Sequence, residues 1–159
     1  MRPGRVMRLV FRLPVRLYEH NLGWLLGHRF LCLTHTGRRS GRTYRTVLEV
    51  IGTNAPDEVV AIAGLGAAAD WYRNIQATPA TELVVGHRRY VPTHRRLDEA
   101  EAVAVVAQYE HRNRWVGPVI RPVLSNLLGW RYDGSPAARL RLVRQLPVVG
   151  FRQSSRDLP

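Results

Sequence analysis

The densest chemistry in the sequence lies in residues 33–50, "LTHTGRRSGRTYRTVLEV". Arg38, Arg39, Arg42 and Arg45 fall within eight residues, Gly37 and Gly41 bracket the turn, and Ser40 and Thr43 add hydroxyls. Guanidinium groups, hydroxyls and open backbone amides on a strand–turn–strand suit a multiply charged anion. The chain has no lysine, so each of its twenty-four basic side chains is an arginine. Every one of these can grip a phosphate or carboxylate through two parallel bonds and keeps its charge at any ordinary pH.

Other chemistries fit the same residues poorly. A phosphate-binding loop of the G-x-x-x-x-G-K-[ST] type needs a lysine and a following helix. Here the glycines are four apart and a β-branched strand follows. A dinucleotide fingerprint needs a third glycine, which "GLG" at 64–66 lacks. The six histidines are scattered; His87 and His94 lie seven apart, on opposite faces of one strand, so no metal site is expected. Cys32 sits between two leucines and reads as a small buried residue rather than a nucleophile.

A chain of 159 residues with 45% apolar content suffices for one domain with a core. A lone cysteine suits a reducing cytosol. No apolar run reaches membrane-span length, and arginines interrupt the N-terminus too often for a secretory signal. The formal charge of +12 raises two binding readings. Nucleic acid is disfavoured, because the arginines are dispersed and aromatics are only 8% of the chain. An anionic membrane surface stays open. Residues 1–28 read as a basic amphipathic helix, with Arg5, Arg8, Arg12 and Arg16 on one face and Val6, Val10, Leu13 and Leu17 on another. The same apolar row could instead pack on the rest of the protein. The expected location is cytoplasmic, with a peripheral place on the inner membrane face in the first case.

After this helix, "RFLCLTHT", "TVLEVIG" and "EVVAIAG" read as three strands, with "TNAPDE" as a turn. A glycine loop leads to a helix expected to start at Asp70 as N-cap and to end near Pro79. "TELVVGHRRYVPTHRRL" reads as a hairpin turning at Gly86-His87. Asp98 and Glu101 make a capping box for the surest helix. Pro118, Pro122 and Gly129 are expected to break the next stretch into short helices, before a last strand at 146–152. Hairpins separated by single helices do not give regular βαβ alternation. They predict an α+β chain, an antiparallel split β-barrel with peripheral helices, as one domain over 29–153 and a frayed tail at 154–159.

Two motifs taken together resemble a known family. "LTHTGRRSGR" with its further arginine and "TVLEV" strand, followed by "AGLGAAADWYRNIQATP", is similar to the deazaflavin-dependent nitroreductase and quinone-reductase family, which uses coenzyme F420. The resemblance runs from about Arg29 to Leu97. It implies a flavin-reductase-like split barrel and hydride delivery from F420H2 to a small electron-poor quinone, enone or nitro-aromatic. It also implies that Arg38, Arg39, Ser40, Gly41, Arg42 and Arg45 receive the phosphate and acidic tail of F420. Val47, Leu48 and Glu49 would pass along the deazaflavin ring. Ala63, Gly64, Leu65 and Gly66 would let the backbone approach it, and Trp71, Tyr72 and Asn74 would close that side. Tyr72 and Tyr109 are candidate proton donors to the acceptor oxygen, each with the competing reading of a packed aromatic. An FMN- or haem-binding split barrel is the near alternative; a basic binding module without chemistry is the distant one.

Overall fold

The structure, a computed structural model, describes residues 27–154. The basic N-terminal helix expected over 1–28 therefore lies almost wholly outside the described residues, as does most of the 154–159 tail.

Among the described residues, eight strands form two antiparallel sheets. The first has the order β2 (Thr43–Glu49), β1 (Phe30–Thr36), β5 (Glu82–Val85), β6 (Arg88–Tyr90). The second has the order β3 (Gly52–Ala55), β4 (Glu58–Ile62), β8 (Val148–Gln153), β7 (Pro92–Arg96). Only Val50 and Ile51 separate β2 from β3, and only Val91 separates β6 from β7. Each edge of one sheet thus runs straight on into an edge of the other. The two sheets are joined at both edges, the topology of a split barrel of the expected α+β class.

Strand alternation sorts the core into two parts. Leu31, Leu33, Ala61, Leu83, Val85, Val149 and Phe151 fill the space between the sheets, with Trp71 and Ile75 from helix α1 (Asp70–Ala77). Val60 and Val148, on the other face of the second sheet, pack under α2 (Glu99–Arg112) and α4 (Pro136–Gln145). Inner strands β1 and β8 are covered on both faces, which is why they read as near-continuous apolar runs. On that helix-covered face the carboxylate of Glu58 is fully buried beneath Gly150, where a Cβ would come within 2.6 Å of Glu58 Oε1. Arg95 Nε and Nη2 donate to its two oxygens at 2.8 and 3.0 Å, and Arg95 also binds Glu101, tying β7, β4 and α2 together. Burial opposes ionisation of Glu58, but the bonds from Arg95 and Asn54 outweigh it and hold its pKa below the usual range.

The hairpin turn at Gly86-His87 lies between the paired residues Val85 and Arg88, and the capping box forms, with Glu101 N donating to Asp98 Oδ1 at 2.8 Å and Asp98 N to Glu101 Oε2 at 3.0 Å. Three expectations are corrected. "TNAPDE" is not all turn: Thr53 pairs with Val59 and Ala55 with Glu58, so the ladder continues into β3 and only Pro56 and Asp57 turn. Asp70 is the first helical residue rather than the cap, which is Ala69; its carboxylate is engaged by Arg38 instead. Pro122 does not split its segment, which forms one helix, α3 (Gly117–Leu128), ended by Gly129 at φ +76°. Pro122 leaves the Pro118 carbonyl without its helical donor, but both prolines are exposed, so water can serve.

Candidate functional site

Residues 37–42 form a tight loop joining β1 to β2. Gly37 N donates to Arg42 O and Gly41 N to Gly37 O, both at 2.8 Å, and Gly41 takes a left-handed φ of +65°. A Cβ on Gly37 would come within 2.6 Å of Ser40 Oγ and of the Tyr44 ring, so a larger residue there would displace these side chains. Ser40 Oγ accepts from Arg42 N at 3.3 Å and bonds Tyr44 Oη at 3.1 Å, so this hydroxyl braces its own turn.

The four arginines of the turn divide into two kinds. Arg38 is docked. Its main-chain N–H and its Nη1 both donate to Asn74 Oδ1, at 3.1 and 2.9 Å, and Nη1 also donates to Asp70 Oδ1 at 3.0 Å. Arg39, Arg42 and Arg45 are exposed, and none has an acidic partner among the described residues. Asn74 is buried and reaches further: its Nδ2 donates to His35 Nδ1 at 3.1 Å. An acceptor at Nδ1 puts the His35 proton on Nε2, which lies 2.9 Å from Thr46 Oγ1 as its donor. Burial lowers the His35 pKa, only partly offset by the Asp70 charge, and favours this neutral form. Sequence reasoning missed His35. The signal was there, because it shares the face of Leu31 and Leu33 by strand alternation.

The glycine loop runs directly into the same helix. A 3-10 turn at Gly66–Ala68 precedes α1, with Gly66 N donating to Ala63 O at 2.7 Å. Ala63 is buried, Leu65 is 76% exposed, and a Cβ on Gly64 would meet nothing within 4 Å. Basic turn and glycine loop thus meet at α1. On that helix Trp71 is turned inward, with its ring centroid 6.4 Å from that of Phe151, and Tyr72 packs half-buried against the same core, edge-on to Trp71.

Val47, Leu48 and Glu49 do not share one surface. Leu48 lies opposite Leu31 and packs on the inner core, whereas Val47 and Glu49 point to the other face with Arg45. Tyr109 Oη donates to Glu49 Oε1 at 2.8 Å, and Arg29 Nε lies 3.8 Å from the same oxygen. Burial first, then the bond to Glu49 and its charge, push the Tyr109 pKa well above that of a free phenol, so the hydroxyl keeps its proton. Both residues line an open cavity of about 490 Å³ bordered by β2, β4, α2, α3 and α4. Its floor is apolar (Ile51, Ile62, Val106, Leu142), Ile120 and Leu124 form the α3 side, and Glu110 bonds Tyr132 and Arg139 at its wall. Tyr72 is not among the lining residues, so the two tyrosines stand in different surroundings.

Two sheets joined at both edges, with a basic turn and a glycine loop that meet at one helix, define a split-barrel protein with a basic edge. A family model described as F420H(2)-dependent quinone reductase matches residues 10–121, well over half of the chain, and the chain belongs to that family. It is an F420H2-dependent oxidoreductase, with coenzyme F420 as its cofactor. No curated protein matches the chain. Among solved structures it is similar to an F420-H2-dependent reductase, FDR-A, at 20% identity over 79% of this chain and 96% of that one, with a TM-score of 0.43. It is also similar to a pyridoxamine 5′-phosphate oxidase-related, FMN-binding protein from Nostoc punctiforme, at 14% identity over 96% and 82%, with a TM-score of 0.49. A protein solved as a domain-swapped dimer matches at 20% identity over 91% and 98%, with a TM-score of 0.46. At these scores the likenesses add nothing to what the strand order already establishes.

Proposed function

We propose that the chain reduces a small quinone with F420H2, that Arg39, Arg42 and Arg45 receive the anionic tail of F420, and that the cavity beside Glu49 and Tyr109 receives the acceptor. The observation that carries the first assignment is the division of labour in the turn. One arginine is spent on docking the turn to α1, and three are left exposed and without acidic partners among the described residues. F420 carries a phosphodiester and a polyglutamate tail, which suits such a donor set better than it suits a neutral ring. Gly41 and Gly64 also fit a closely approaching ligand, since a Cβ on either would project into open space. The cofactor, when bound, supplies a hydride.

The protein's own work is to bind, orient and protonate. Ser40 and Gly41 hold the turn in shape, and Asn74 fixes it to the barrel. The apolar side chains of the cavity floor suit a flat, lipophilic acceptor. Tyr109 holds a proton at Oη on the cavity wall, where it donates to Glu49; turned from Glu49 to an acceptor oxygen, the same hydroxyl can meet the charge that builds there. Tyr72 packs on the core and serves less well. The basic segment at 1–28 supports a further element of the reading, contact with an anionic membrane surface beside a lipophilic quinone pool.

The test is steady-state reduction of menadione with each reductant in turn, alongside an enone and a nitro-aromatic. Turnover with F420H2, fastest on the quinone, is expected. Turnover with NADPH alone, with no F420 added and no flavin bound, would overturn the reading.

A further inference from the structure

Helix α3 presents a surface that the oxidoreductase reading does not use. Its sequence, GPVIRPVLSNLL, is apolar almost all the way round; only Arg121, Ser125 and Asn126 are polar. A helix of that composition is ordinarily buried. Here one row, Ile120, Leu124 and Leu128, turns toward the cavity and the helical core. The neighbouring row is open: Val119 is 70%, Val123 62% and Leu127 47% exposed. Trp115, in the 3-10 turn just before α3, is 81% exposed, with the Arg114 guanidinium 5.1 Å from its ring centre. Single exposed apolar residues are commonplace; a contiguous row with a tryptophan at its head marks a contact surface.

The charge around the row selects the occupant. From residue 111 to 132 the sequence holds four arginines, one histidine and no acidic residue. Arg114, Arg121 and Arg131 are exposed; no salt bridge holds any of them among the described residues, although the charge of Arg131 acts on Asp133 just beyond this stretch. Arg112 is the exception, since its Nη2 donates to Ile51 O at 2.8 Å. A second copy of a chain with a net charge of +12 would bring like charges together across this row. An anionic bilayer would take the apolar row into its headgroup boundary and set its phosphates against the rim. Tryptophan is the residue type that prefers that boundary. We infer that α3 and Trp115 form a docking surface for an anionic lipid bilayer, separate from any contact made by residues 1–28. The inference stands on this surface alone and does not require the acceptor assignment.

The full chain is sedimented with vesicles of phosphatidylglycerol and phosphatidylcholine in equal parts, and with phosphatidylcholine vesicles alone, at low and high salt. A variant carrying Val119→Ser, Val123→Ser and Leu127→Ser is compared, with circular dichroism and F420 binding as checks on its fold. In parallel, tryptophan quenching by brominated phospholipid is measured for the wild type and for Trp115→Phe. The expected result is salt-sensitive sedimentation with the anionic vesicles only, a loss on the order of tenfold in partitioning for the triple variant, and a quenched component that disappears in Trp115→Phe. Three results would overturn the inference. The wild type could fail to sediment at low salt. It could sediment with no Trp115-dependent quenching, which would place the contact in residues 1–28. Or the triple variant could lower the molecular mass in solution while leaving vesicle binding unchanged, which would make the row a contact between copies. Trp115→Phe keeps an aromatic in an exposed position, so the quenching comparison holds even if the triple variant fails to fold.

Discussion

Asn74 Oδ1 accepts from both the main-chain N–H and the Nη1 of Arg38, at 3.1 and 2.9 Å, while Asn74 Nδ2 donates to His35. One buried amide therefore joins α1 to the basic turn and to the barrel interior. Removing it leaves a buried ring nitrogen and a main-chain donor without partners. Asn74→Ala should lower stability by about 1–3 kcal/mol. The measurement is the denaturant midpoint, and a variant within a few tenths of a kcal/mol of wild type would show that the bridge carries no weight. Asn74→Asp should not restore it, since a carboxylate offers His35 Nδ1 no donor in the neutral state.

Stability should fall as the solution is made mildly acidic. His35 and His94 both have pKa values lowered by burial. A lowered histidine pKa means that the fold prefers the neutral ring. Its contribution is therefore complete above the unfolded value of about 6.5 and is lost as pH falls through the folded value. Charging His35 would also strip Nδ1 of its acceptor role toward Asn74. Thermal midpoints measured from about pH 7.5 to about pH 5 should drop for the wild type, and drop less for His35→Gln. Parallel curves for the two proteins would exclude His35 as a source of the loss.

Much of this arrangement was open to reading in the sequence, and the rest was not for definable reasons. The barrel followed from hairpins separated by single helices, because period and turn residues are local signals. The capping box at Asp98 and Glu101 is local as well. What failed was competition between local preference and tertiary context. Pro122 argues for a break, yet the helix continues because the freed carbonyl lies at the surface. Asp70 looks like a cap, yet its oxygen serves a guanidinium 32 residues earlier in the chain. Arg38 and Arg39 are adjacent and chemically identical, and no sequence property says that the first docks the turn and the second does not. That depends on Asn74, 36 residues away from Arg38. Leu48 was placed with Val47 and Glu49 by motif, although the strand period alone turns it to the opposite face.

The division within the turn predicts a split in mutant behaviour. A charge-assisted contact contributes about 1.5–3 kcal/mol, so Arg39→Ala should weaken F420 binding by about tenfold or more, with a smaller salt dependence in what remains. Arg42→Ala and Arg45→Ala should behave alike, with unfolding midpoints close to wild type, because none of the three has an acidic partner among the described residues. Arg38→Ala should lower stability as well as affinity, since it undocks the turn from α1. Equal loss of stability in all four variants would mean that the turn acts as a structural unit only. Wild-type affinity for F420 in Arg39→Ala at low salt would remove the tail assignment.

The pair Tyr109 and Glu49 sets the final test, because it separates a proton donor from a packed aromatic. Tyr109→Phe keeps the ring against the helical core and in the cavity wall but removes the hydroxyl that donates to Glu49. General acid assistance contributes about a hundredfold or more where it operates, so the variant should lose kcat on menadione by at least about tenfold. The dissociation constant for F420 should stay near wild type, since the arginine turn is untouched. Glu49→Gln should lose less, as its amide oxygen can still accept from Tyr109 but no longer carries the charge that draws Arg29 to within 3.8 Å. A Tyr109→Phe enzyme with unchanged kcat would return this tyrosine to the role of cavity lining and leave solvent as the proton source.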